Sequence, residues 1–307
     1  MLEIITGGAL STVQDAGRFG VMKNGFTQSG AMDSHSMKLA NALLKNDLNA
    51  PVIEMTMKGL TAWFDDETYF CLSGGNFSAK LNENKIERNT VYKAKKNDII
   101  SVGAATEGFR CCLAVGGGFR VPLFMGSAST NLKISLGGYE GRKLRTYDKI
   151  ETGTPSPGIK EGDCVPAADY PAVIEVGAVP GPQDDMFTGE DIETFFCAEY
   201  TVTSELDRMG IRLEGPELQS KSGKDIISDG IVFGSVQIPN SGKPIILMAD
   251  HQTTGGYAKI ATVAGAELSK LAQARPGNTI RFVKMSVEEA EELAVKEKQY
   301  FEELLKR

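Results

Sequence analysis

The segment Asp250-His251-Gln252-Thr253-Thr254-Gly255-Gly256-Tyr257-Ala258-Lys259 is the most informative stretch of this 307-residue chain. Apolar runs at 244–249 and 260–263 flank it, and their content of Ile, Leu and Val is typical of buried strands. The paired glycines indicate a tight loop between these strands, because glycine adopts positive φ at little cost. Polar loops held by rigid strands often carry binding and catalytic groups.

This loop carries more hydrogen-bonding side chains than a turn requires. It offers a carboxylate, an imidazole, a carboxamide, two hydroxyls, a phenol and an ammonium, whereas a bare turn needs little besides Gly, Asn or Asp. Two interpretations stay open on this chemistry alone. The segment is either a functional site or a hairpin whose Asp and Thr side chains hydrogen-bond to their own backbone.

Composition and charge narrow the class of protein. The length allows two domains of ordinary size, and 41% hydrophobic with 24% charged residues is normal for a globular chain with a sizeable core. At a net charge of −7 no basic patch stands out to neutralise phosphates, so a nucleic-acid partner is not expected. No apolar run approaches the roughly 18 residues of a membrane helix, so no membrane association is expected.

The cysteines indicate a reducing compartment. There are five of them, with irregular spacing and no C-x-x-C pair, which favours buried free thiols over disulfides. Cys111 and Cys112 are adjacent on a predicted strand, so their side chains are expected on opposite faces. The N-terminus lacks the pattern of a signal peptide, and a cytoplasmic protein is expected.

Residues 51 to 115 alternate short apolar runs with turn signals, a pattern typical of an antiparallel barrel or sandwich. Predicted turns include Ser73-Gly74-Gly75. One helix is predicted at 36–46, with Asp33 or Ser34 as its N-cap. No strand–helix–strand rhythm is present, so a Rossmann fold is not expected. The predicted strands are 2–5, 52–56, 62–64, 68–72, 90–92, 99–102 and 111–115.

A stretch rich in Pro, Gly, Ser and Thr at 152–158 divides the chain into two predicted domains, 1–165 and 170–307. The second domain repeats the strand-rich pattern. A short helix is predicted at 266–274, and Ser286-Val287-Glu288-Glu289 is a capping box that starts a C-terminal helix. Predicted strands of this half are 172–176, 200–203, 211–213, 231–233 and 235–238, and the apolar stripe of the last helix, expected to pack on the body, is Ala290, Leu293, Ala294, Phe301, Leu304 and Leu305.

Other polar loops precede or follow predicted strands, at 12–20, 29–33, 180–185 and 205–210. In the first of them, Asp15 and Arg18 form either part of a site or an ion pair that only orders a turn. The glycine-rich region 116–150 does not match the phosphate-binding pattern G-x-x-x-x-G-K-[ST].

The pattern Asp-x-Gln-Thr-Thr-Gly-Gly-Tyr at 250–257 closely resembles the signature of the KipA-type family, also called allophanate hydrolase subunit 2 or the biotin-dependent carboxyltransferase family. The C-type subunit of the bacterial ATP-dependent 5-oxoprolinase is one member type, and the resemblance is strongest to it. Two positions depart from the family pattern, since Ala258 stands where Pro is usual and Tyr147 where Gly is common. Further family-like pieces follow in collinear order at 12–20, 30–33, 110–117, 137–142, 180–184, 207–210, 237–239 and 276–277.

The resemblance implies a mainly β fold of two cyclophilin-like β-barrel domains, with a few short helices and a C-terminal helix. It also implies a multi-subunit amidohydrolase that opens the lactam of 5-oxoproline to glutamate with ATP and Mg²⁺. The implied partners are a KipI-type chain and a LamB/YcsF-type chain. One alternative is a carboxyltransferase component that uses carboxybiotin, carried by another protein, on urea or a similar amide. The second alternative is a non-catalytic regulator that pairs with a KipI-type protein.

The candidate site residues come from the motif matches, and chemistry suggests their roles. Cations around a phosphorylated amide would be Arg18, Arg142, Arg208 and Lys259. Asp15, Asp33 and Asp250 are candidates for a general base or for Mg²⁺ ligands. The expected catalytic residues are Asp250, Thr253, Thr254, Tyr257, Arg208 and Asp15, with Gln252 on the substrate amide, and the expected cofactor-binding residues are Arg18, Arg142, Gly255, Gly256 and Lys259.

Overall fold

A computed structural model describes residues 1–219, 221 and 226–307. The chain forms two compact units. The first contains Met1–Arg18, Ser29–Tyr170 and Gln299–Arg307, and the second contains Phe19–Gln28 and Pro171–Lys298. The domain bounds expected from the sequence, 1–165 and 170–307, stay a prediction. No helix among the described residues is long and apolar enough to cross a membrane.

The first unit is a ten-stranded half-barrel. Its longest strand, β8, pairs with three others (β3, β4 and β5), so most of the sheet is organised around it. The prediction of a mainly β fold is confirmed. The strands are β1 (Leu2–Thr6), β2 (Leu10–Gln14), β3 (Val52–Thr56), β4 (Thr61–Phe64), β5 (Thr68–Leu81), β6 (Asn84–Lys85), β7 (Val91–Ala94), β8 (Ile99–Val115), β9 (Phe119–Arg120) and β10 (Lys149–Thr152).

Two predictions about this sheet are wrong. The runs 99–102 and 111–115, expected as separate strands, are the two ends of β8, and the expected turn at Ser73-Gly74-Gly75 lies inside β5. The β5–β8 pairing continues past these glycines, and its register shifts there, for example between Gly74 and Asn76. Gly103 is needed for close approach, because a Cβ there would lie 2.8 Å from the Ser78 carbonyl oxygen.

Helix α1 (Ser34–Leu43) packs on the outer face of this sheet. Its N-cap is Asp33, one of the two predicted candidates, whose carboxylate accepts a hydrogen bond from the Ser36 N–H at 2.9 Å. The helix ends earlier than the predicted residue 46, because Lys45 adopts a left-handed φ of +51°. Cys111 lies in the core inside the sheet and Cys112 in the core under α1, so the prediction of opposite faces is confirmed.

In the second unit seven strands close into a barrel, in the order β11-β18-β15-β16-β13-β12-β19. Neighbours are antiparallel except β11 and β19, which are parallel. A closed ring with an odd number of strands must contain such a pair. The strands of this unit are β11 (Val173–Pro180), β12 (Glu199–Leu206), β13 (Gly210–Glu214), β14 (Asp229–Gly230), β15 (Ser235–Ile238), β16 (Ile245–Leu247), β17 (Thr254–Gly255), β18 (Ala258–Val263) and β19 (Thr279–Lys284).

The second unit differs from the sequence prediction in two places. The run 231–233, expected as a strand, has no strand conformation, and its Ile231 N–H donates to the Thr253 carbonyl instead. Helix α2 (Gly189–Cys197) was not predicted, although Thr188 and Asp191 form a capping box at its start. The helix expected at 266–274 is present as a short 3-10 turn followed by α3 (Leu268–Ala272).

The C-terminal helix α4 (Val287–Leu304) begins at the predicted capping box: Ser286 Oγ accepts from the Glu289 N–H, and the Glu289 carboxylate accepts from the Ser286 N–H. The predicted apolar stripe is buried only at its end. Phe301 and Leu304 join the core under α1, whereas Ala294 and Leu305 are exposed. The His35 ring packs against Phe301, with the ring centroids 5.1 Å apart and the ring planes tilted by 54°.

We expect Phe301→Ala to lower the free energy of unfolding by about 3 kcal/mol, because a buried aromatic ring is lost from the α1 core. Val295→Ala on the same helix is the matched control, since Val295 is 52% exposed, and we expect a change within about 0.5 kcal/mol there. Urea unfolding followed by circular dichroism measures both. Equal effects of the two substitutions would contradict the assigned packing.

Candidate functional site

The segment 250–257 connects two barrel strands that do not pair with each other. Both β16 and β18 pair with β15, which lies between them. The loop carries its own strand, β17, which pairs with β14 through Asp229 opposite Gly255 and Gly230 opposite Thr254. The hairpin interpretation of this segment is therefore wrong, and the loop is a crossover held by a small separate sheet.

The loop begins at a buried ion pair. The Arg208 guanidinium donates to both oxygens of Asp250, at 2.8 and 3.2 Å, and the two side chains are 7% and 6% exposed. The Asp250 N–H also donates to the Arg208 carbonyl at 2.7 Å. In the adjoining turn, the Asp207 carboxylate accepts from the N–H groups of Met209 and Gly210. Both expected catalytic residues of this pair therefore bind each other and fix the loop to the β12–β13 turn.

The loop ends at a second buried charge. The Lys259 ammonium is 2% exposed and donates to the Asp229 carboxylate at 2.8 Å and to the Gly230 carbonyl at 3.0 Å. The hydrogen bond from Lys259 lowers the pKa of Asp229. Gln183, from the 180–185 loop, accepts from the Lys259 N–H and donates to Asp229. Lys259, expected to bind a cofactor, thus holds the β14–β17 sheet in place.

Gly255 is required by the packing of its neighbours. A Cβ at this position would lie 2.6 Å from Ile231 Cδ1, 2.9 Å from Gln237 Nε2 and 3.4 Å from Gln252 Nε2. The amides of Gln237 and Gln252 therefore converge over the bare face of this glycine. Gly256 has more room, because its Cβ would lie 3.3 Å from the Ile226 carbonyl oxygen. The binding role expected for both glycines stays a prediction.

Three of the family-like segments meet at a cavity of about 390 Å³. It is lined by the two amides of Gln237 and Gln252, the Tyr257 ring and one cation, Arg212. Within the described part of the chain, the Gln252 side chain has no hydrogen-bond partner, so its amide is available to a ligand. The remaining lining residues are Ser204, Glu205, Leu206, Asp207, Met209, Gly210, Ile245 and Leu247.

The structure brings some expected residues to this cavity and leaves others outside it. Tyr257 and Gln252 line it, whereas Thr253 and Thr254 do not, although Thr254 is exposed beside them. Gln237 and Arg212 were not among the residues expected from the sequence. Gln237 lies in a family-like piece, at 237–239, which is a signal that could have found it. Arg212 alternates with buried neighbours on β13, so only its outward position could have been expected.

Asp15, an expected catalytic residue, lies in the first unit and is saturated with hydrogen bonds. Its carboxylate accepts from the hydroxyls of Ser127 and Ser129, at 2.6 and 2.5 Å, and from the N–H groups of Gly17 and Ala128, at 2.8 and 2.6 Å. Four donors therefore occupy the carboxylate of a buried residue. This carboxylate fixes the segment after β9 against the end of β2.

Two expected cofactor-binding arginines also lie in the first unit. Arg18 is buried and donates to the carbonyl oxygens of Phe124 and Ser129. Arg142 binds Asp148 through two hydrogen bonds, at 2.7 and 2.9 Å. Burial would raise the pKa of Asp148, but the hydrogen bonds from Arg142 and a backbone N–H outweigh it and lower that pKa. Tyr147 has a left-handed φ of +71°, which explains why glycine is common there in the family.

No group of three or more His, Cys, Asp or Glu side chains among the described residues is arranged to hold a metal ion. Each of the three carboxylates considered for Mg²⁺ has another role. Asp15 binds hydroxyls and N–H groups, Asp33 caps α1, and Asp250 pairs with Arg208.

His251 fixes the loop from inside. His251 is buried, and its backbone N–H donates to the Met248 carbonyl. Its ring Nδ1 lies 2.6 Å from the Gln252 carbonyl oxygen. A carbonyl partner assigns the proton of the neutral ring to Nδ1. Burial lowers the pKa of His251 below its ordinary value of 6.5, against the opposing effects of the Gln252 hydrogen bond and the Asp250 charge. The imidazole thereby orients the backbone that presents the Gln252 amide.

Comparison with known proteins adds a family and several relatives. The model of the family described as carboxyltransferase domain, subdomain A and B, matches residues 24–284. The chain is 37% identical to the 5-oxoprolinase C-type subunit of Escherichia coli (strain K12), over 99% of this chain and 97% of that protein. It is 36% identical to the corresponding 5-oxoprolinase protein of Haemophilus influenzae, over 99% and 97% of the two chains. The crystal structure of the K. lactis urea amidolyase superposes with a TM-score of 0.90 at 32% identity, over 99% of this chain and 20% of that one.

We expect Asp250→Ala to destabilise the second unit by about 3–5 kcal/mol, because it removes the carboxylate that pairs with the buried Arg208 charge. The double variant Arg208→Met, Asp250→Ala should recover much of that loss, since it removes both charges. Denaturant unfolding of Asp250→Ala, of Arg208→Met and of the double variant gives the coupling free energy of the pair. Additive losses would show that the two side chains do not stabilise each other.

Stability should also fall in acid through His251. Above pH 6.5 the imidazole is neutral whether the chain is folded or unfolded; below it the unfolded chain takes up a proton that the buried ring does not, so the free energy of unfolding decreases. In His251→Asn an amide N–H replaces Nδ1–H without a titrating group. Melting temperatures from pH 7.5 to 5 should therefore fall less steeply in this variant than in the parent chain, and parallel curves would contradict the assignment.

Proposed function

The chain belongs to the carboxyltransferase domain family, subdomain A and B, and on that premise we propose that it is the subunit of an ATP-dependent 5-oxoprolinase complex that forms the lactam-binding site. The reaction would open the 5-oxoproline ring to glutamate. Support comes from the two 5-oxoprolinase relatives, which match this chain over nearly their whole length.

The cavity beside the 250–257 loop carries this proposal, because its groups match the parts of 5-oxoproline. The amides of Gln252 and Gln237 suit the lactam, which is itself one donor and one acceptor. The apolar side chains of Leu206, Ile245 and Leu247 suit the ring carbons. Arg212, the one cation among the described lining residues, suits the carboxylate.

Arg212 would bind the substrate carboxylate by exchanging partners. Its guanidinium now lies 3.0 Å from the Glu205 carboxylate, in a pair that is 56% and 74% exposed. Exposed pairs of this kind contribute little to stability, so a substrate carboxylate can replace Glu205 at small cost. A bidentate contact to the substrate would also orient the lactam toward the amides.

The lactam resists hydrolysis because its nitrogen donates electrons to the carbonyl. ATP would supply the driving force by phosphorylating the amide oxygen with release of ADP, which activates the ring carbon toward water. Addition of water and cleavage of the ring C–N bond would leave an acyl phosphate, and a second water would hydrolyse it to glutamate and phosphate. Within this chain, the free Gln252 amide and the Tyr257 hydroxyl would donate hydrogen bonds to the lactam oxygen. Asp250, Arg208 and Lys259 would act by holding the loop, and the catalytic roles expected for Thr253 and Thr254 stay predictions.

Partner chains would complete the site. We propose a KipI-type chain and a LamB/YcsF-type chain as the partners, in the cytoplasm, with ATP and Mg²⁺ bound at the level of the complex. The proposal for Mg²⁺ agrees with the three engaged carboxylates of this chain, Asp15, Asp33 and Asp250, which leave its coordination to other groups.

A carboxyltransferase that uses carboxybiotin is the second candidate, and the likeness to the K. lactis urea amidolyase favours it. The biotin would be carried by another protein. Urea has neither a carboxylate nor ring carbons, so it would leave Arg212 and the apolar wall of the cavity unused. The lining therefore favours 5-oxoproline over urea.

Co-expression with the neighbouring subunits, followed by assay of 5-oxoproline-dependent ATP hydrolysis and glutamate release, tests the proposal. We expect coupled turnover, and we expect Arg212→Gln to raise the KM for 5-oxoproline roughly 10- to 100-fold, since a charge-assisted hydrogen bond is lost. Arg281→Gln is the matched control, because Arg281 is also an ion-paired arginine on a barrel strand, outside the cavity.

Two outcomes would count against this function. An assembled complex without turnover would favour the carboxybiotin candidate, to be followed by a transfer assay with urea. Equal KM values for the Arg212 and Arg281 variants would contradict the proposed contact between Arg212 and the substrate carboxylate. 2-Pyrrolidinone, the lactam without a carboxylate, provides a further check, because it should bind equally well to the parent complex and to the Arg212 variant.

A further inference from the structure

The first unit contains a second cavity, of about 180 Å³, that the proposed reaction does not use. It lies beside the end of α1, the segment at 160–164 and the last turn of α4. Its lining residues are Ala42, Leu43, Lys45, Lys160, Asp163, Cys164, Leu304 and Arg307.

The charges around this cavity are unbalanced. Lys45, Lys160 and Arg307 are three cations, and none has an ion pair or a side-chain hydrogen bond within the described residues. Asp163 is the one side-chain carboxylate of the lining, so the side-chain charges of the lining are positive on balance. The whole chain has a net charge of −7. A local excess of unpaired cations on an acidic protein attracts anions.

The backbone on this side of the cavity is fixed. Lys45 takes a left-handed φ of +51°, and its carbonyl accepts from the Ser156 hydroxyl at 2.9 Å. Its ammonium lies over Gly158, where a Cβ would be 3.4 Å from Nζ. On the other wall, the Asp163 carbonyl accepts from the Val91 N–H at 2.9 Å. The cations are therefore presented by ordered segments around the opening.

The floor of the cavity is apolar. Ala42, Leu43 and Leu304 are all buried and belong to the core under α1. A ligand that uses the whole surface needs an anionic group for the rim and a short aliphatic part for the floor. The volume corresponds to about six water-sized groups at ~30 Å³ each, so the ligand is small.

We propose that this cavity binds a small aliphatic carboxylate, with its carboxylate between Lys45 and Lys160 and its chain against Leu43 and Leu304. The site is independent of the lactam cavity, since every lining residue belongs to the first unit. Inorganic anions would engage the rim alone, and uncharged molecules the floor alone, so both should bind more weakly.

Cys164 provides a readout, because it lines the cavity and is exposed. Pentanoate should slow the reaction of Cys164 with the uncharged reagent N-ethylmaleimide in a saturable manner, at constant ionic strength made up with chloride. Pentanamide, the uncharged equivalent, should need at least a tenfold higher concentration. Cys197, the other exposed thiol, is the internal control and should react at an unchanged rate, with both sites quantified by peptide mass spectrometry.

Variants of the full chain identify the rim. Lys45→Gln with Lys160→Gln should abolish protection by pentanoate, while Lys80→Gln, an exposed lysine outside the lining, should leave it intact. Equal protection by pentanoate and pentanamide, or protection that survives loss of both rim lysines, would overturn the proposal. Protection by inorganic phosphate as strong as that by pentanoate would overturn the assignment of the apolar floor. None of these measurements depends on turnover of 5-oxoproline.

Discussion

The buried ion pair between Arg208 and Asp250 is the interaction on which the candidate site depends. Two charges removed from water are tolerated only when each satisfies the other, and here the guanidinium contacts both carboxylate oxygens. The pair joins the β12–β13 turn to the start of the 250–257 loop, and residues of both segments line the same cavity. If either charge were absent, only backbone hydrogen bonds, such as the one from the Asp250 N–H to the Arg208 carbonyl, would join these two segments.

Closure of the second barrel explains why this loop is more than a turn. Since β15 lies between β16 and β18, the chain has to pass from one side of it to the other. That passage is fixed at its start by Asp250, inside by His251 and at its end by Lys259. Gln252 and Tyr257, which lie between these fixed points, are left to face the cavity. The residues that hold the loop and those offered to a ligand are therefore different ones.

The same physical problem has a different solution in the first unit. The buried Asp15 carboxylate is satisfied by two hydroxyls and two N–H groups rather than by an opposite charge. Since four donors already occupy its oxygens, this carboxylate has little capacity left to bind a ligand. The unpaired cations around Lys45 are the opposite case, because they remain near solvent, where a small anion can reach them. The paired or hydrogen-bonded charges of this chain are thus buried, whereas the two proposed ligand sites contain accessible polar groups.

Features that depend on neighbouring residues could be predicted from the sequence. Strands β3 and β15 have the bounds that alternation and turn signals predict, and the Ser286 capping box starts α4 where expected. The mainly β class and the family followed from many short motifs in order. Only the tertiary structure decided that 99–115 is one strand and that Asp250 and Asp15 are already engaged. It also placed Arg212 beside Gln252, 40 positions away. Local patterns are set by a few adjacent residues, whereas ion pairs and cavities depend on strand pairings across the barrel, which a single sequence does not specify.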